Sequence, residues 1–258
     1  MIWKDKVVFL TGASSGIGEA LAVAIAKKGA ILGLLARRGD LLRELAARCE
    51  GHGGRARVFA CDVTDEAGVE DAAQALRDEF GHIDILICNA GIGGPRHAKD
   101  LTTADVKKVV EVNFMGAVNA VTAVLPSMVH RGSGQLVAIS SLAGFRGLPR
   151  SASYSASKGA MTNFFESLRL DLIGSGVSVT VIHPGFILTP LTAKRRSRLP
   201  FLMRLEDAIP KIIYAIERRK RFAAFPWQLA TFVKLGRVFP GWLYDRIAAR
   251  TNYREDKE

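Results

Sequence analysis

The chain has 258 residues, of which 48% are hydrophobic and 24% are charged, a composition that is typical of a globular protein and excludes a disordered one. It has no run of 18 uncharged apolar residues that would predict a membrane-spanning helix, and its three cysteines have neither disulfide-framework nor zinc-site spacing, so we expect reduced thiols and no metal. The formal net charge of +11 is uneven, since Lys194–Glu258 contains 16 Lys and Arg against 7 Asp and Glu.

Short apolar runs predict the strands of a sheet. They are Lys6–Thr11, Ala30–Ala36, Arg57–Ala60, Ile83–Cys88, Gln135–Ser140, Val177–Ile182 and Phe222–Phe225. Strands without polar alternation are buried on both faces, which indicates a parallel sheet between layers of helices. The first run is too short for the core of a signal peptide, so we expect no export signal and a cytoplasmic protein.

Longer segments with helical spacing alternate with these strands. They are Gly16–Lys28, Leu41–Cys49, Glu66–Phe80, Ala104–Val129 and Ser153–Ile173. A repeated strand–helix order with short connections predicts an α/β fold with a single doubly wound parallel sheet of the Rossmann type. Because no repeat or linker divides the chain, we expect residues 1–225 to form one dinucleotide-binding and catalytic domain.

A glycine-rich turn follows the first strand and opens the first helix, with the sequence Thr-Gly-Ala-Ser-Ser-Gly-Ile-Gly over residues 11–18. Glycines allow the backbone to turn sharply and to approach a pyrophosphate, and the helix N-terminus offers unpaired N–H groups. A purely structural turn is the alternative, but the strand–turn–helix context favours a dinucleotide site. The candidate contacts are Gly12, Ser14, Ser15, Gly16, Ile17 and Gly18.

The end of the second strand carries the signal for cofactor choice. A site for NAD normally places an acidic residue about twenty positions after the glycines, where it binds the ribose 2′-hydroxyl. Here Ala36 occupies that place, and Arg37 and Arg38 follow it. Guanidinium groups suit a 2′-phosphate, whereas a carboxylate would repel one. The arginines would also fit an ordinary solvated helix start, but we expect them to favour NADP(H).

A serine, a tyrosine and a lysine form the candidate catalytic group. Ser141 follows the strand Gln135–Ser140, Tyr154 comes 13 residues later, and Lys158 lies four residues further on. Positions four apart share a helix face, so the lysine ammonium should stabilise the phenolate and lower the pKa of Tyr154. Such a tyrosine can exchange a proton with a hydroxyl or a carbonyl, and Ser141 could hold the same oxygen. Alone, the spacing also fits an accidental surface pair.

Together these motifs resemble those of the short-chain dehydrogenase/reductase family across roughly Lys6 to Thr192. The resemblance makes Asp62 and Val63 the adenine-side pair and Asn113 the helix asparagine that completes a catalytic tetrad with Ser141, Tyr154 and Lys158. It also assigns cofactor contacts to Asn89, Ala90 and Gly91 after the fourth strand and, at the nicotinamide end, to Pro184, Gly185, Ile187 and Thr189.

The resemblance implies a mechanism without a metal. Hydride passes from the nicotinamide to a substrate carbonyl carbon while Tyr154 protonates the oxygen. Lys158 would also hold the nicotinamide ribose, and Asn113 would keep a water in a proton relay. Because cellular NADPH is usually kept reduced, carbonyl reduction is the expected direction. The family's usual helix–helix interface implies a homodimer.

The end of the chain departs from the family pattern. Residues 226–258 are predicted to form a basic amphipathic extension, with helices over Leu229–Phe239 and Trp242–Ile247. Two interpretations stay open: helices that pack on the domain and cover the substrate pocket, or a peripheral contact with an anionic membrane. We do not expect nucleic-acid binding, because no recognised motif accompanies the charge.

The substrate is indicated only in outline. The segment Arg195–Met203 lies where the family keeps its substrate-covering loop, and its apolar residues favour a hydrophobic ketone or aldehyde. The alternatives are an alcohol dehydrogenase that works in the oxidative direction, a non-catalytic NADP(H)-sensing protein, and a reductase whose basic tail binds an acidic acyl carrier. The complete serine, tyrosine, lysine and asparagine set argues against a sensor.

Overall fold

The computed structural model describes residues 3–193, 199–236 and 238–250. Within these residues seven strands form one sheet, whose order is β3-β2-β1-β4-β5-β6-β7 and whose paired strands are all parallel. The strands are β1 Val7–Thr11, β2 Ile31–Ala36, β3 Arg55–Ala60, β4 Ile85–Cys88, β5 Gly134–Ile139, β6 Val177–Pro184 and β7 Phe222–Phe225. The prediction of a single doubly wound parallel sheet is confirmed.

Helices cover both faces of this sheet. They are α1 Gly16–Ala26, α2 Gly39–Glu50, α3 Glu66–Phe80, α4 Thr103–Val110, α5 Gly116–Arg131, α6 Ala152–Asp171, α7 Leu205–Glu217, α8 Trp227–Gly236 and α9 Gly241–Arg250. Alternate residues of β1 belong to different cores: Val8 and Leu10 pack with α1, α2 and α7, whereas Val7 and Phe9 pack with α3, α5 and α6. A strand buried on both faces explains its uninterrupted apolar sequence.

The long predicted helix Ala104–Val129 is interrupted. A π-helical turn over Glu111–Met115 separates α4 from α5, and periodicity alone gave no sign of it. The whole run Thr103–Arg131 is long and apolar enough to cross a membrane, but it packs against α3 and α6 as a core helix does. Insertions of this kind are common at functional sites.

Helix α7 was not predicted, although its apolar pattern is clear. Ile209, Ile212 and Ile216 are buried against the core, at the spacing of one helix face. Pro210 lies inside the helix. Proline normally disfavours a helix interior because it lacks the backbone N–H donor. Burial of the isoleucine face outweighs that cost here.

The two tail helices are present as α8 and α9, which begin two residues and one residue earlier than predicted. Leu229 of α8 packs on Gly185, where an added Cβ would lie 2.9 Å from the leucine Cδ2. Arg237 and residues 251–258 of the predicted extension, and Arg195–Arg198 of the predicted covering loop, lie outside the described residues.

Candidate active site

The glycine turn at the carboxyl end of β1 is built by close backbone contacts. Gly12 has a φ of +67°, and an added Cβ would lie 2.5 Å from the Ala90 Cα. A Cβ on Gly18 would lie 2.3 Å from the Gly12 oxygen. No side chain fits either position without moving the backbone. The turn therefore has the shape that the sequence predicted.

Asn89 joins the end of β4 to this turn. Its side-chain nitrogen donates hydrogen bonds to the Thr11 oxygen at 3.1 Å and to the Gly12 oxygen at 3.0 Å. The backbone nitrogens of Asn89 and Ala90 both donate to the Thr11 Oγ1 at 3.2 Å. Asn89 was predicted as a cofactor contact, and the structure shows that it also fixes the turn.

Two arginines stand beside the turn on the side of β2. The Arg38 guanidinium donates to the Ser14 hydroxyl at 2.9 Å and to the Ser15 hydroxyl at 2.7 Å. The Arg37 Nη1 lies 3.7 Å from an Asp62 carboxylate oxygen, and both side chains are exposed. Two cations and two hydroxyls thus converge at the end of β2, which itself ends in Ala36 without a carboxylate.

A cleft of about 450 Å³ runs along the carboxyl edge of the sheet past these groups. Most predicted cofactor contacts line it: Gly12, Ser14, Ser15, Gly16, Ile17, Arg37, Arg38, Asp62, Val63, Asn89, Ala90, Gly91 and Thr189. Sequence reasoning missed other residues of the lining: Ala36, Cys61, Ile92, Val112, Pro190 and Leu191. Each is a chain neighbour of a predicted contact or close to one, which is the only signal that could have found it.

The other predicted contacts, which include Tyr154 and Lys158, do not line this cleft. Gly18 is buried beneath the turn, and Ile187 is buried in the core. Gly185 donates its backbone N–H to the Phe225 oxygen at 2.7 Å, and Pro184 pairs with β7 as the last residue of β6. Pro184 and Gly185 therefore serve the packing of β7 and α8 in this structure, and their nicotinamide contacts stay a prediction.

Ser141 and Tyr154 lie together beyond the end of β5. The Ser141 hydroxyl accepts a hydrogen bond from the Ala143 nitrogen at 3.1 Å, so that it caps a short 3-10 turn over Leu142–Gly144. Tyr154, in the first turn of α6, has a hydrogen bond between its phenol and Ser141. Burial raises the pKa of Tyr154 above its ordinary value, and the hydrogen bond lowers it by less.

The predicted lowering of the Tyr154 pKa by Lys158 is wrong for this structure. The Lys158 Nζ donates to the Ile139 oxygen at 2.8 Å, and burial lowers the pKa of its ammonium to about 8. Desolvation of the phenol therefore outweighs any help from the lysine. The consequence is a Tyr154 phenol that keeps its proton at neutral pH, which is the form that a proton donor needs.

Asn113 lies in the π-helical turn and is fully buried. Its oxygen accepts from the Ile92 nitrogen at 2.7 Å, and its nitrogen donates to the Ile92 oxygen and to the Ser157 hydroxyl, both at 3.0 Å. A Cβ added to Gly91 would lie 3.4 Å from the Asn113 oxygen and 3.6 Å from the Lys158 Nζ. The structure thus brings Gly91, Asn113 and Lys158 together.

A buried polar network supports the turn of α6 that carries Lys158. The hydroxyls of Ser140 and Thr162 donate to the Lys158 oxygen at 3.1 and 2.8 Å. His183 lies 3.2 Å from the Thr162 hydroxyl, and burial lowers the pKa of its imidazole to about 4, so that the ring is neutral at physiological pH. The contacts of His183 support a structural role in this network.

The comparisons with known proteins agree with this geometry. A family profile described as short chain dehydrogenase matches residues 6–200. An uncharacterized oxidoreductase of Myxococcus xanthus is 41% identical over 245 residues, which cover 95% of this chain and 97% of that protein. A fatty acyl-CoA reductase of Acinetobacter baylyi is 36% identical over 233 residues, which cover 88% of this chain and 79% of that protein.

Two further similar proteins extend the comparison. An 11-beta-hydroxysteroid dehydrogenase-like protein of Arabidopsis thaliana is 35% identical over 250 residues, or 93% of this chain and 83% of that protein. The crystal structure of a short chain dehydrogenase from Mycobacterium paratuberculosis bound to NAD superposes with a TM-score of 0.78 at 26% identity, covering 87% of this chain and 96% of that one.

Proposed function

Since this chain belongs to the short-chain dehydrogenase family, and is therefore an oxidoreductase of CH–OH or C=O groups that uses a nicotinamide cofactor, we propose that it is an NADPH-dependent reductase of a hydrophobic ketone or aldehyde. The single observation that carries the proposal is the Tyr154 phenol, which keeps its proton beside Ser141 and lies one helix turn before Lys158. The Lys158 Nζ in turn lies 3.6 Å from a Cβ added to Gly91, a residue of the cleft lining.

The residues present fit a dinucleotide. The glycine turn is a cradle that a Cβ would fill, as the 2.5 Å approach of a Gly12 Cβ to Ala90 illustrates. Backbone N–H groups at the start of α1 would bind the pyrophosphate. Thr189 lies across the cleft from the turn, where a Cβ on Gly16 would be 3.4 Å from the threonine Cβ. That position suits a contact with the nicotinamide end.

Preference for NADP(H) is proposed from the charges at the end of β2. Arg38, held by the Ser14 and Ser15 hydroxyls, and the nearby Arg37 would bind a 2′-phosphate through charge-assisted hydrogen bonds. A carboxylate that would bind a 2′-hydroxyl is missing at Ala36. The solved relative that binds NAD is only 26% identical to this chain, so its cofactor does not decide the question.

The reaction that we propose needs one proton from the protein. A bound nicotinamide cofactor would provide the hydride for the carbonyl carbon. Tyr154 would give its phenolic proton to the carbonyl oxygen, so that the product is an alcohol. Ser141 orients that oxygen through its hydroxyl. Lys158, when charged, would stabilise the phenolate that remains and hold the ribose. Asn113 fixes the loop at Ile92 and would complete a relay that returns a proton to Tyr154.

A hydrophobic substrate is proposed from the mouth of the cleft. Leu191 lines the cleft and is more than half exposed. Phe201, which comes ten residues later in the chain, is also more than half exposed. Exposed apolar side chains beside a polar site are typical of a surface that receives an apolar ligand. Two of the similar proteins carry names that refer to fatty acyl and steroid compounds, which supports the same class.

Two alternatives are less well supported. Oxidation of an alcohol would need Tyr154 to act as a base, and the raised pKa of its phenol disfavours that at neutral pH. A sensor of NADP(H) would not need a proton donor in contact with Ser141. We further propose that the protein is a cytoplasmic homodimer, and that its tail makes a peripheral contact with anionic membranes.

A panel of carbonyl compounds tests the proposal. We expect NADPH, followed by its absorbance, to be oxidised with long-chain or polycyclic ketones and aldehydes at a higher kcat/KM than with short polar ones. If the protein binds NADPH but turns over no carbonyl compound, the sensor becomes the better interpretation. Faster turnover with NADH than with NADPH would refute the cofactor preference alone.

A further inference from the structure

The outward half of α8 is apolar without being covered. Its exposed residues lie on one arc of about 160° in an ideal helix, and they are Trp227, Gln228, Thr231, Phe232, Lys234 and Leu235. The opposite arc, with Leu229, Ala230 and Val233, faces the domain. Trp227 is 71% exposed, Phe232 49% and Leu235 52%. Three large apolar side chains on one solvent-facing arc are unusual for a monomeric surface.

The next helix continues this surface. Val238, in the connection, is 77% exposed, and Trp242, at the start of α9, is 69% exposed. We call the set of Trp227, Phe232, Leu235, Val238 and Trp242 the tail face. A tryptophan stands near each end of this face, and the indole ring is suited to the boundary between lipid and water.

The charges beside the tail face are mostly positive. Helix α8 contains Lys234 and no acidic residue, and in α9 Arg246 follows Asp245. The four consecutive exposed cations Arg218–Arg221 precede β7, the strand along which α8 packs. Apolar side chains with surrounding cations and few acids are complementary to an anionic lipid surface, where each nearby cation adds about 1 kcal/mol.

A set of contacts fixes this surface to the substrate side of the enzyme. The Tyr244 hydroxyl donates to the Gly147 oxygen at 2.5 Å, and the Arg146 guanidinium lies 3.8 Å from the centre of the Tyr244 ring. Arg146 also donates to the Phe239 oxygen at 3.4 Å. Arg146 and Gly147 belong to the segment that connects Ser141 to Tyr154. Because the two candidate catalytic residues lie at its ends, we call this segment the active-site wall.

We propose that the tail face docks on the surface of anionic lipid bilayers, with α8 and α9 lying against the headgroups and the active-site wall held beside them. The inference deepens the proposed function, because a hydrophobic carbonyl compound dissolved in lipid would then meet the cleft at the membrane. It names the partner as an anionic lipid surface and the contact as Trp227, Phe232, Leu235, Val238 and Trp242.

Co-sedimentation with vesicles tests the docking without turnover. The full-length protein is mixed with vesicles of phosphatidylglycerol and phosphatidylcholine in equal parts, or of phosphatidylcholine alone. We expect binding to the anionic vesicles that weakens as salt is raised, because the cations contribute. The double variant with Trp227→Ser and Trp242→Ser should bind roughly tenfold more weakly or worse, since both side chains would leave the lipid.

Ile173→Ser is the matched control. Ile173 follows α6 at the end far from Tyr154. Its exposed fraction of 75% is close to that of the two tail tryptophans. If apolar exposure alone caused vesicle binding, this variant would lose as much affinity as the tail variants, and the docking face would be refuted. Equal binding by the Ile173→Ser variant and the wild type supports the assignment to the tail.

Two other results would overturn the inference. Negligible binding of the wild type to anionic vesicles excludes a lipid partner. A shift from dimer to monomer by sedimentation velocity in the double tryptophan variant, without vesicle binding by the wild type, would assign the tail face to a second copy of the chain. If NADPH-dependent reduction persists in either case, the proposed function stands although the docking fails. If the protein binds vesicles but turns over no carbonyl compound, the docking stands and the proposed function fails.

Discussion

The glycine turn and the C-terminal helices are held in place in different ways. At the turn, backbone atoms touch directly: Gly12 faces Ala90, Gly18 faces Gly12, and Asn89 donates to both β1 and the turn. At the tail, side chains make the contacts, with Tyr244 reaching Gly147 and Arg146 reaching Phe239. The first region fits few residue types at each position, whereas the second leaves several aromatic side chains exposed to solvent.

This difference explains which chemistry each region can carry. Close backbone packing leaves a cradle of fixed shape, which suits a cofactor whose phosphates are the same for every enzyme that uses it. A helix pair that is held by side-chain contacts can differ in sequence without disturbing the sheet. We therefore expect changes at the turn and catalytic group to remove function, and changes at the tail to tune it.

The largest effect is expected from Tyr154→Phe. This variant tests whether the chemistry depends on the Tyr154 phenol, which belongs to neither of the two regions. Without its proton donor, carbonyl reduction should slow by about 10²- to 10⁴-fold while NADPH binds as before. Single-turnover absorbance and a cofactor titration measure the two properties. A variant that reduces carbonyls at near-normal rates would refute Tyr154 as the acid.

The rate of carbonyl reduction should depend on pH, and the pKa shifts of Tyr154 and Lys158 give the direction of the change. The raised pKa of Tyr154 keeps the donor protonated through neutral pH, whereas Lys158 loses its charge as pH rises through about 8. The kcat for reduction in the wild type should therefore fall on the alkaline side of about pH 8. Activity that rises steadily through pH 9 would show that a charged Lys158 is not required.

Gly18→Ala should be the most damaging change within the turn. The new Cβ would lie 2.3 Å from the Gly12 oxygen and 2.6 Å from the Asn89 side-chain nitrogen, so the turn must open. Overpacking of this kind costs about 1–3 kcal/mol of unfolding free energy, and cofactor affinity should fall with it. Thermal unfolding and NADPH titration report both.

Gly94→Ala is the control for that change, because no atom beyond its chain neighbours lies within 4 Å of the position where its Cβ would be. It should leave stability and cofactor affinity nearly unchanged. Equal losses in the two variants would mean that glycine flexibility, and not the close packing at Gly18, explains the first result.

Arg38→Ala tests the edge of the turn, where selectivity is added to a fixed shape. Loss of a charge-assisted contact to a 2′-phosphate is worth about 1.5–3 kcal/mol, so the preference for NADPH over NADH should fall by roughly tenfold to a hundredfold. Arg43→Ala, an exposed arginine of α2 paired with Asp40, serves as the control. An unchanged cofactor preference in Arg38→Ala would count against the phosphate site.

The success of sequence reasoning follows the same division. The parallel sheet and the turn were predictable, because β1 is apolar on both faces and Gly12 and Gly18 are required by backbone contacts. The π-helical turn at Asn113 was not, since the Asn113 side chain is held there by Ile92 and Ser157, which are distant in sequence. Helix α7 was missed although its isoleucine face is regular, because a proline such as Pro210 normally argues against a helix interior.

The electrostatics of the site were harder to predict than its residues. The spacing of Tyr154 and Lys158 identifies both groups, but the direction of each pKa depends on burial and on partners that are distant in sequence. The Ile139 oxygen accepts the hydrogen bond of the Lys158 ammonium, and no local sequence pattern predicts this contact. The exposure of Trp227 and Trp242 is equally a property of the folded surface, since helical spacing in the tail predicts amphipathic helices with no indication of which side is covered.

The smallest effect is expected at the tail, from Tyr244→Phe. The ring remains over Arg146, and only the hydrogen bond to the Gly147 oxygen is removed, which is worth about 0.5–1.5 kcal/mol. If the tail tunes the substrate wall, KM for a long-chain carbonyl compound should rise by about two- to tenfold, while kcat, NADPH affinity and the KM for a short carbonyl compound stay nearly constant.

Tyr214→Phe is the matched control for that change, because Tyr214 is a half-exposed tyrosine of α7 that stacks under Arg218 and Lys220, outside the segment that holds Ser141. Its kinetics should match the wild type for both substrates. A Tyr244→Phe variant that lowers kcat for every substrate alike would instead make the tail part of the catalytic framework, and the division between a fixed turn and a tuning tail would fail. A selective change in KM keeps that division, because only a wall that contacts the distant part of the substrate can affect long compounds and spare short ones.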